Sequence, residues 1–279
     1  MSNEEVPAFN AEDYKKYDEF IVSEIETGFI HVQFNNPKSL NAFSDSTWRQ
    51  YEAILTKIDE HPDTNIILIS SSTARAFTSG LNLKTALETF SGSGGLTKDQ
   101  QYNKLHAHIR EFQHAIGTPA RINTPTICLL NGIAYGLALD IAGAVTIRVA
   151  TKDVKLSIRE IKIGIAADIG SLQRLPALVN NKSLLYQYAL TGATFNANEA
   201  LKLGLISKIV PDFEAGIEYC KGLGEEINGN QQWAIKGTKK HIQDIIDGTS
   251  VSDGLKDIAV FNANHIDTKF AEAIGGVKL

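Results

Sequence analysis

Three short apolar runs constrain this chain more than anything else in it. "NIILISSS" (65–72), "PTICLLNG" (125–132) and "VTIRVA" (145–150) are each long enough for one buried strand and too short for a helix. A strand that is apolar on both faces must be covered on both, which helices layered against a largely parallel sheet achieve. Helical stretches lie between and before the runs. "SDSTWRQYEAILTKIDEH" (44–61) spaces Trp48, Tyr51, Ile54, Leu55 and Ile58 along one face, with Ser44 as N-cap. Thr97-x-x-Gln100 is a capping-box pattern opening a helix to about Ile116. Upstream, "FIVSEIETGFIHVQFN" (20–35) alternates apolar and polar residues around Glu26-Thr27-Gly28, the pattern of a hairpin. From about residue 194 the chain reads as helical. These signals predict an α/β protein with a polar N-terminal extension (1–17), an α/β core (18–193) and a helical C-terminal subdomain (194–279). No fixed-period repeat is visible.

The formal net charge of −5 argues against a nucleic-acid partner, which would need a basic face. No apolar run approaches the length of a membrane span, so no membrane insertion is expected. Cys128 and Cys220 stand far apart in no metal-binding spacing. No metal site is expected, and both read as small core residues in a reducing compartment. The acidic, polar N-terminus is neither a signal peptide nor an Arg-rich transit peptide. The last three residues, Val277-Lys278-Leu279, share two letters with the Ser-Lys-Leu peroxisomal address. Ser91-Gly92-Ser93-Gly94-Gly95 is either a plain surface connection or the mobile wall of a pocket.

Three places combine the features that chemistry needs. In "AFTSGLNLK" (76–84) a strand and a small-residue turn lead into Gly80-Leu81, where backbone can approach a ligand closely. In "NGIAYGLALD" (131–140) a helix begins near Gly136-Leu137, presenting unpaired N–H groups and a positive dipole end. One N–H from each turn would form a hole for a developing oxyanion. The third place is "REIKIGIAADIG" (159–170), which sets Glu160 and Asp168 in a stretch that otherwise reads as buried, joined by Asp140 in the apolar helix "LALDIAGAV". Each acid has a plain alternative. Asp140 is bonded to a neighbouring backbone group, Asp168 is a helix N-cap, and Glu160 pairs with Arg159 or Lys162. Taken together, two oxyanion donors and three acids near apolar walls suit proton transfer beside an activated carbonyl.

The ordered segments "NNPKSLNAF" (35–43), "AFTSGLNLK", "LLNGIAYGLALDIA" (129–142) and "TGATFNANEALKLGLISKIVP" (191–211) resemble the crotonase (enoyl-CoA hydratase/isomerase) superfamily over roughly 18–279. The resemblance implies a crotonase spiral fold of repeated ββα units, a C-terminal helical trimerisation subdomain, acyl-CoA thioester substrates and a homotrimer or hexamer. It implies no cofactor beyond the CoA of the substrate itself. Typical hydratases of the family carry glutamates at the positions of Asp140 and Glu160 and a glycine at that of Asp168. The Asp, Glu, Asp set, together with "GIAADIGSLQRLP" (164–176) and "IKGTK" (235–239), resembles instead the dienoyl-CoA isomerase branch. That branch turns a 3,5-dienoyl-CoA into a 2,4-dienoyl-CoA. The resemblance gives Glu160 a place near carbon 2 and Asp168 one near carbon 6, with the reverse assignment also open, and makes Asp140 a supporting carboxylate. Leu81 and Leu137 would hold the thioester oxygen through their N–H groups. Gly80, Gly136 and Lys84 would line the substrate and CoA. Leu137-Ala138 stands where relatives have further glycines, and Asn82 where many have aspartate, so Asn82 receives no role. A peroxisomal setting follows from the resemblance and the Lys-Leu ending together, a cytoplasmic one otherwise. The alternatives are an enoyl-CoA hydratase, a Δ3,Δ2-enoyl-CoA isomerase, or a binding protein of the same fold, including an RNA-binding one.

Overall fold

The computed structural model describes residues 9–85, 87 and 95–266. The C-terminal tripeptide and all of the Ser91–Gly95 loop except Gly95 lie outside the described residues. Strands β1 (Phe20–Glu26) and β2 (Phe29–Phe34) form the expected hairpin, with Gly28 at φ +83° in the turn. The three apolar runs become β3 (Ile66–Ser71), β5 (Thr126–Leu130) and β7 (Ile147–Thr151). With β10 (Lys208–Val210) they build a six-stranded sheet in the order β1-β2-β3-β5-β7-β10, parallel beyond the hairpin. The register sets His31 beside Leu68 and Cys128 beside Arg148.

A second sheet was not legible in the sequence. Strands β4 (Ala76–Thr78), β6 (Ile133–Tyr135), β8 (Lys155–Ser157) and β9 (Phe195–Asn196) pair in that order. Each long strand thus hands the chain to a short one and then to a helix. After β3-β4 comes α2 (Lys98–Ile116), after β5-β6 comes α4 (Leu137–Ala144), and after β7-β8 comes α5 (Ser171–Leu178). This is a spiral of ββα units. The units start at residues 66, 126 and 147, so their spacing is far from constant, which is why no repeat shows in the sequence.

Helix α1 (Asp45–Glu60) has Ser44 as its predicted N-cap, in a capping box with Thr47, and buries the predicted apolar face. Phe20, Phe34, Phe43, Tyr51 and Phe77 form an aromatic cluster beneath it, with Phe34 and Phe77 centroids 4.9 Å apart. Burying each such ring contributes about 2–3 kcal/mol. The cluster ties α1 and the hairpin to the strand that leads into Gly80. On the opposite sheet face, α8 (Phe213–Asn228) packs Cys220 against a cluster containing Phe29, Leu68 and Leu129. Both cysteines are buried and free, as expected of core residues.

Short helices α3 (Thr118–Arg121), α6 (Lys182–Thr191) and α7 (Ala197–Leu203) complete the core. The chain ends in α9 (Gln232–Ile246) and α10 (Val251–His265), an antiparallel-packed pair in which α10 has no buried residue. The C-terminal part is therefore mostly helical, but it also contributes β9 and β10 to the two sheets. At the other end, Tyr14 is buried and Phe9 and Tyr17 pack on the core, so described residues of the polar extension belong to the fold. No helix among the described residues is long and apolar enough to cross a membrane.

Candidate active site

The two glycine turns converge. Gly80 (φ +102°) lies so close to the second turn that a Cβ there would stand 2.9 Å from the Tyr135 carbonyl oxygen and 3.7 Å from the Leu137 nitrogen. Only glycine permits that approach. The first turn is held in place from "NNPKSLNAF": Phe43 N–H donates to the Gly80 carbonyl, and Asn82 N–H to that of Phe43. Buried Asn41, itself at φ +55°, donates to Ser71 Oγ and to the Ala76 and Phe77 carbonyls, and accepts from Asn36 N–H. Thr78 Oγ1 donates to the Asn41 carbonyl at 2.6 Å and accepts from Gly80 N–H. Asn82, without a role in the sequence reading, accepts from the N–H groups of Lys84 and Thr85 and so fixes the exit of the turn. Lys84 is exposed beside it.

In the second turn, Gly136 (φ +53°) donates its N–H to the Ser157 carbonyl and starts α4. Among the described residues, neither Leu81 N–H nor Leu137 N–H donates to a protein acceptor. Two unpaired donors thus sit on adjacent turns, the second at the positive end of a helix.

Glu160 closes on this feature. It opens the 3₁₀ turn Glu160–Ile163 directly after β8, and its Oε1 would lie 2.9 Å from a Cβ on Gly136. Its Oε2 is buried without a hydrogen-bond partner. Burial, with the charges of Asp140 and Asp168 adding, pushes its pKa up to about 7. Among the described residues it forms no ion pair with Arg159 or Lys162, and the Arg159 guanidinium lies instead over the Tyr135 ring, 4.5 Å from its centroid.

Asp140 is 1% exposed in α4, and its Oδ1 accepts from Ser171 N–H at 2.6 Å and from Ser171 Oγ at 2.5 Å. It is therefore bonded to a neighbouring backbone group, one of the alternatives the sequence left open. It caps α5 from outside that helix and joins the two helices. Burial raises its pKa to about 6, opposed by the Ser171 bonds. Ser171 was missed by sequence reasoning, although a serine after glycine at a helix start was a usable signal.

Asp168 is not the N-cap of α5, since Gly170 holds that position and Ser171 N–H is already taken. Its own carbonyl accepts from Gln113 Nε2 at 2.5 Å, and burial raises its carboxyl pKa. It acts electrostatically on both other acids and lines a crevice of about 1120 Å³ between α1, α2 and α5. The expectation that 159–170 is buried fails for three of its four isoleucines: Ile161, Ile163 and Ile165 are 42%, 53% and 46% exposed. Ala167 and Ile169 are buried, and Glu160 and Asp168 are partly buried beside them. Among the described residues, no group of His, Cys, Asp and Glu is placed to hold a metal ion.

The arrangement offers two backbone donors beside a carboxylate of near-neutral pKa, with two further acids in electrostatic reach. A family model described as enoyl-CoA hydratase/isomerase matches residues 29–275. The mitochondrial Delta(3,5)-Delta(2,4)-dienoyl-CoA isomerase of Homo sapiens is 29% identical over 253 residues, 91% of this chain and 76% of that protein. The peroxisomal enzyme of the same name from Arabidopsis thaliana is 31% identical over 257 residues, 90% of each chain. Among solved structures, a probable enoyl-CoA hydratase/isomerase from Mycobacterium abscessus superposes with a TM-score of 0.79 at 26% identity, over 92% of this chain and 94% of that one.

Proposed function

The chain belongs to the enoyl-CoA hydratase/isomerase family, and from that premise we propose that it converts 3,5-dienoyl-CoA to 2,4-dienoyl-CoA. The observation that carries the reading is Glu160, whose Oε2 is buried without a partner and whose Oε1 abuts the turn bearing the free Leu137 N–H. In this scheme the thioester oxygen lies between the N–H groups of Leu81 and Leu137. Glu160 removes a proton from carbon 2, and the resulting trienolate places its negative charge on that oxygen. Asp168, whose raised pKa favours the protonated form, returns a proton at carbon 6. One proton leaves and one arrives, so the oxidation level is unchanged and no redox cofactor is called for. Asp140 anchors α4 to α5 and raises the basicity of Glu160 through its charge.

Names of the dienoyl-CoA isomerases from Homo sapiens and Arabidopsis thaliana support the same branch. The test is absorbance: purified protein given a 3,5-dienoyl-CoA should generate the conjugated 2,4-dienoyl chromophore. Hydration of a 2-enoyl-CoA without that signal would make the protein a hydratase. Two accompanying readings complete the proposal. A homotrimer or hexamer is supported by exposed apolar residues on α9 and α10, among them Ile242, Val251, Leu255 and Val260, and sedimentation equilibrium tests it. A peroxisomal setting is supported by the Arabidopsis thaliana relative, and a fluorescent fusion with and without residues 277–279 tests it.

A further inference from the structure

The backbone N–H groups of Ser79 to Asn82, which make up the first glycine turn, find unlike acceptors. Ser79 N–H donates to the Leu40 carbonyl at 2.9 Å, and Asn82 N–H to the Phe43 carbonyl at 2.8 Å. Gly80 N–H donates instead to a side chain, Thr78 Oγ1, at 3.0 Å. Among the described residues, Leu81 N–H has no protein acceptor. Which N–H of the turn is left for a ligand therefore depends on Thr78. Its side chain is fully buried, and its hydroxyl proton is committed to the Asn41 carbonyl at 2.6 Å, which leaves the oxygen's lone pairs for Gly80. Asn41 is in turn tied by its own side chain to Ser71, Ala76, Phe77 and Asn36, so the hydroxyl is anchored to a fixed part of the core. Gly80 has no side chain to hold its φ of +102°, and the bond from Phe43 N–H to its carbonyl fixes only the peptide beyond it.

We propose that Thr78 is a positioning residue of this site: its hydroxyl occupies Gly80 N–H and so leaves Leu81 N–H, correctly aimed, as the donor that meets the thioester oxygen. This deepens the isomerase reading and rests on its assignment of Leu81 and Leu137 to that oxygen. Without the hydroxyl, the buried Gly80 N–H would lose its acceptor, and a buried unpaired N–H is costly. The peptide between Ser79 and Gly80 recovers that cost by turning towards water or towards the substrate oxygen. Leu81 N–H then changes direction, because it is joined to that peptide through the dihedrals of Gly80. The two turns approach so closely at Gly80 that a small rotation of one spoils the convergence of their donors.

The test uses two variants. Thr78→Val keeps the shape of the buried side chain and removes both hydrogen bonds, whereas Thr78→Ser keeps both bonds with less bulk. In the dienoyl absorbance assay, Thr78→Val should lower kcat by about tenfold to a hundredfold with KM within about twofold, and Thr78→Ser should stay within about threefold of wild type. Difference infrared spectroscopy reads the donors directly, with a saturated acyl-CoA isotope-labelled at the thioester carbonyl carbon. Binding to the wild type should lower the carbonyl stretch. Thr78→Val should lose part of that downshift, and Thr78→Ser should keep it. Thr78→Ala replaces Thr78→Val should the latter fail to fold. An unchanged carbonyl shift or unchanged kcat in the variant without the hydroxyl overturns the inference. So does a Thr78→Ser protein as impaired as Thr78→Val, or a loss that falls on KM as much as on kcat. The isomerase reading fails separately: wild-type protein that polarises the carbonyl without turning over a 3,5-dienoyl-CoA refutes that reaction and leaves the role of Thr78 standing. Wild-type protein that leaves the carbonyl stretch of the bound thioester unshifted refutes the oxyanion site, and the role of Thr78 with it.

Discussion

Replacing Glu160 with glutamine should remove activity and, at alkaline pH, add stability. Burial and the two neighbouring acids raise this carboxyl from the ordinary glutamate value of 4.5 to about 7. In the interval between those values the native state holds a proton that the unfolded chain has released, so stability falls as pH rises from 4.5 through 7. Each unit of pKa displacement is worth about 1.4 kcal/mol, so the ionised carboxylate destabilises the fold by about 3 kcal/mol above pH 7. Glu160→Gln removes that term. The amide brings its own cost, because Oε2 has no partner and the NH2 replacing it would be equally unpaired, at about 1–3 kcal/mol. That cost does not depend on pH. The diagnostic is therefore the change in variant-minus-wild-type stability between pH 5 and pH 8, which is expected to favour the variant by about 2–3 kcal/mol as pH rises. Urea unfolding at the two pH values measures it, and the dienoyl absorbance assay should show a loss of 10²- to 10⁴-fold in kcat, roughly the range for a removed general base. A stability difference that is flat with pH would refute the account of Glu160 as a desolvated carboxylate poised near neutrality.

Asp168→Asn should slow dienoyl isomerisation by about 10²-fold or more while preserving the fold, and full activity in the absorbance assay would remove Asp168 from the mechanism. Ser171→Ala takes the 2.5 Å hydroxyl bond from Asp140, so its pKa should climb further above about 6 and about 1–2 kcal/mol of stability should be lost above pH 7, read by thermal unfolding. Gly80→Ala forces a Cβ to within 2.9 Å of the Tyr135 carbonyl at φ +102° and should displace the Leu81 N–H, lowering kcat by about 10²-fold with a smaller change in KM. Lys239 is buried in α9 and donates to the carbonyls of Pro119 (2.7 Å), Ile122 and Thr124 (3.2 Å), clamping the C-terminal helices to the core. Lys239→Met should cost about 2 kcal/mol in urea unfolding, since it leaves these carbonyls unpaired.

The sequence by itself determined the long strands, the capped helices and the hairpin. Each is set by interactions within a few residues: the Ser44 and Thr97 caps, the spacing from Trp48 to Ile58, and Gly28 in its turn. The acids and glycines of the site were also legible, because few residue types can sit where a carboxylate is buried or a backbone must pass closely. The short second sheet was not, since strands of two or three residues such as β6 and β9 exist only through their partners. Nor was the fate of each acid. Whether Asp140 is bonded to Ser171, whether Glu160 finds Arg159, and whether Asp168 caps α5 depend on residues brought together from different turns of the spiral. Chain spacing carries no record of that desolvation, and it is desolvation that sets a carboxylate near neutrality. The exposed isoleucines of 161–165 teach the same lesson in reverse. Their apolar pattern was plain in the sequence, but which side of the turn faces the core was decided by packing against α6 and by the acid pointing the other way.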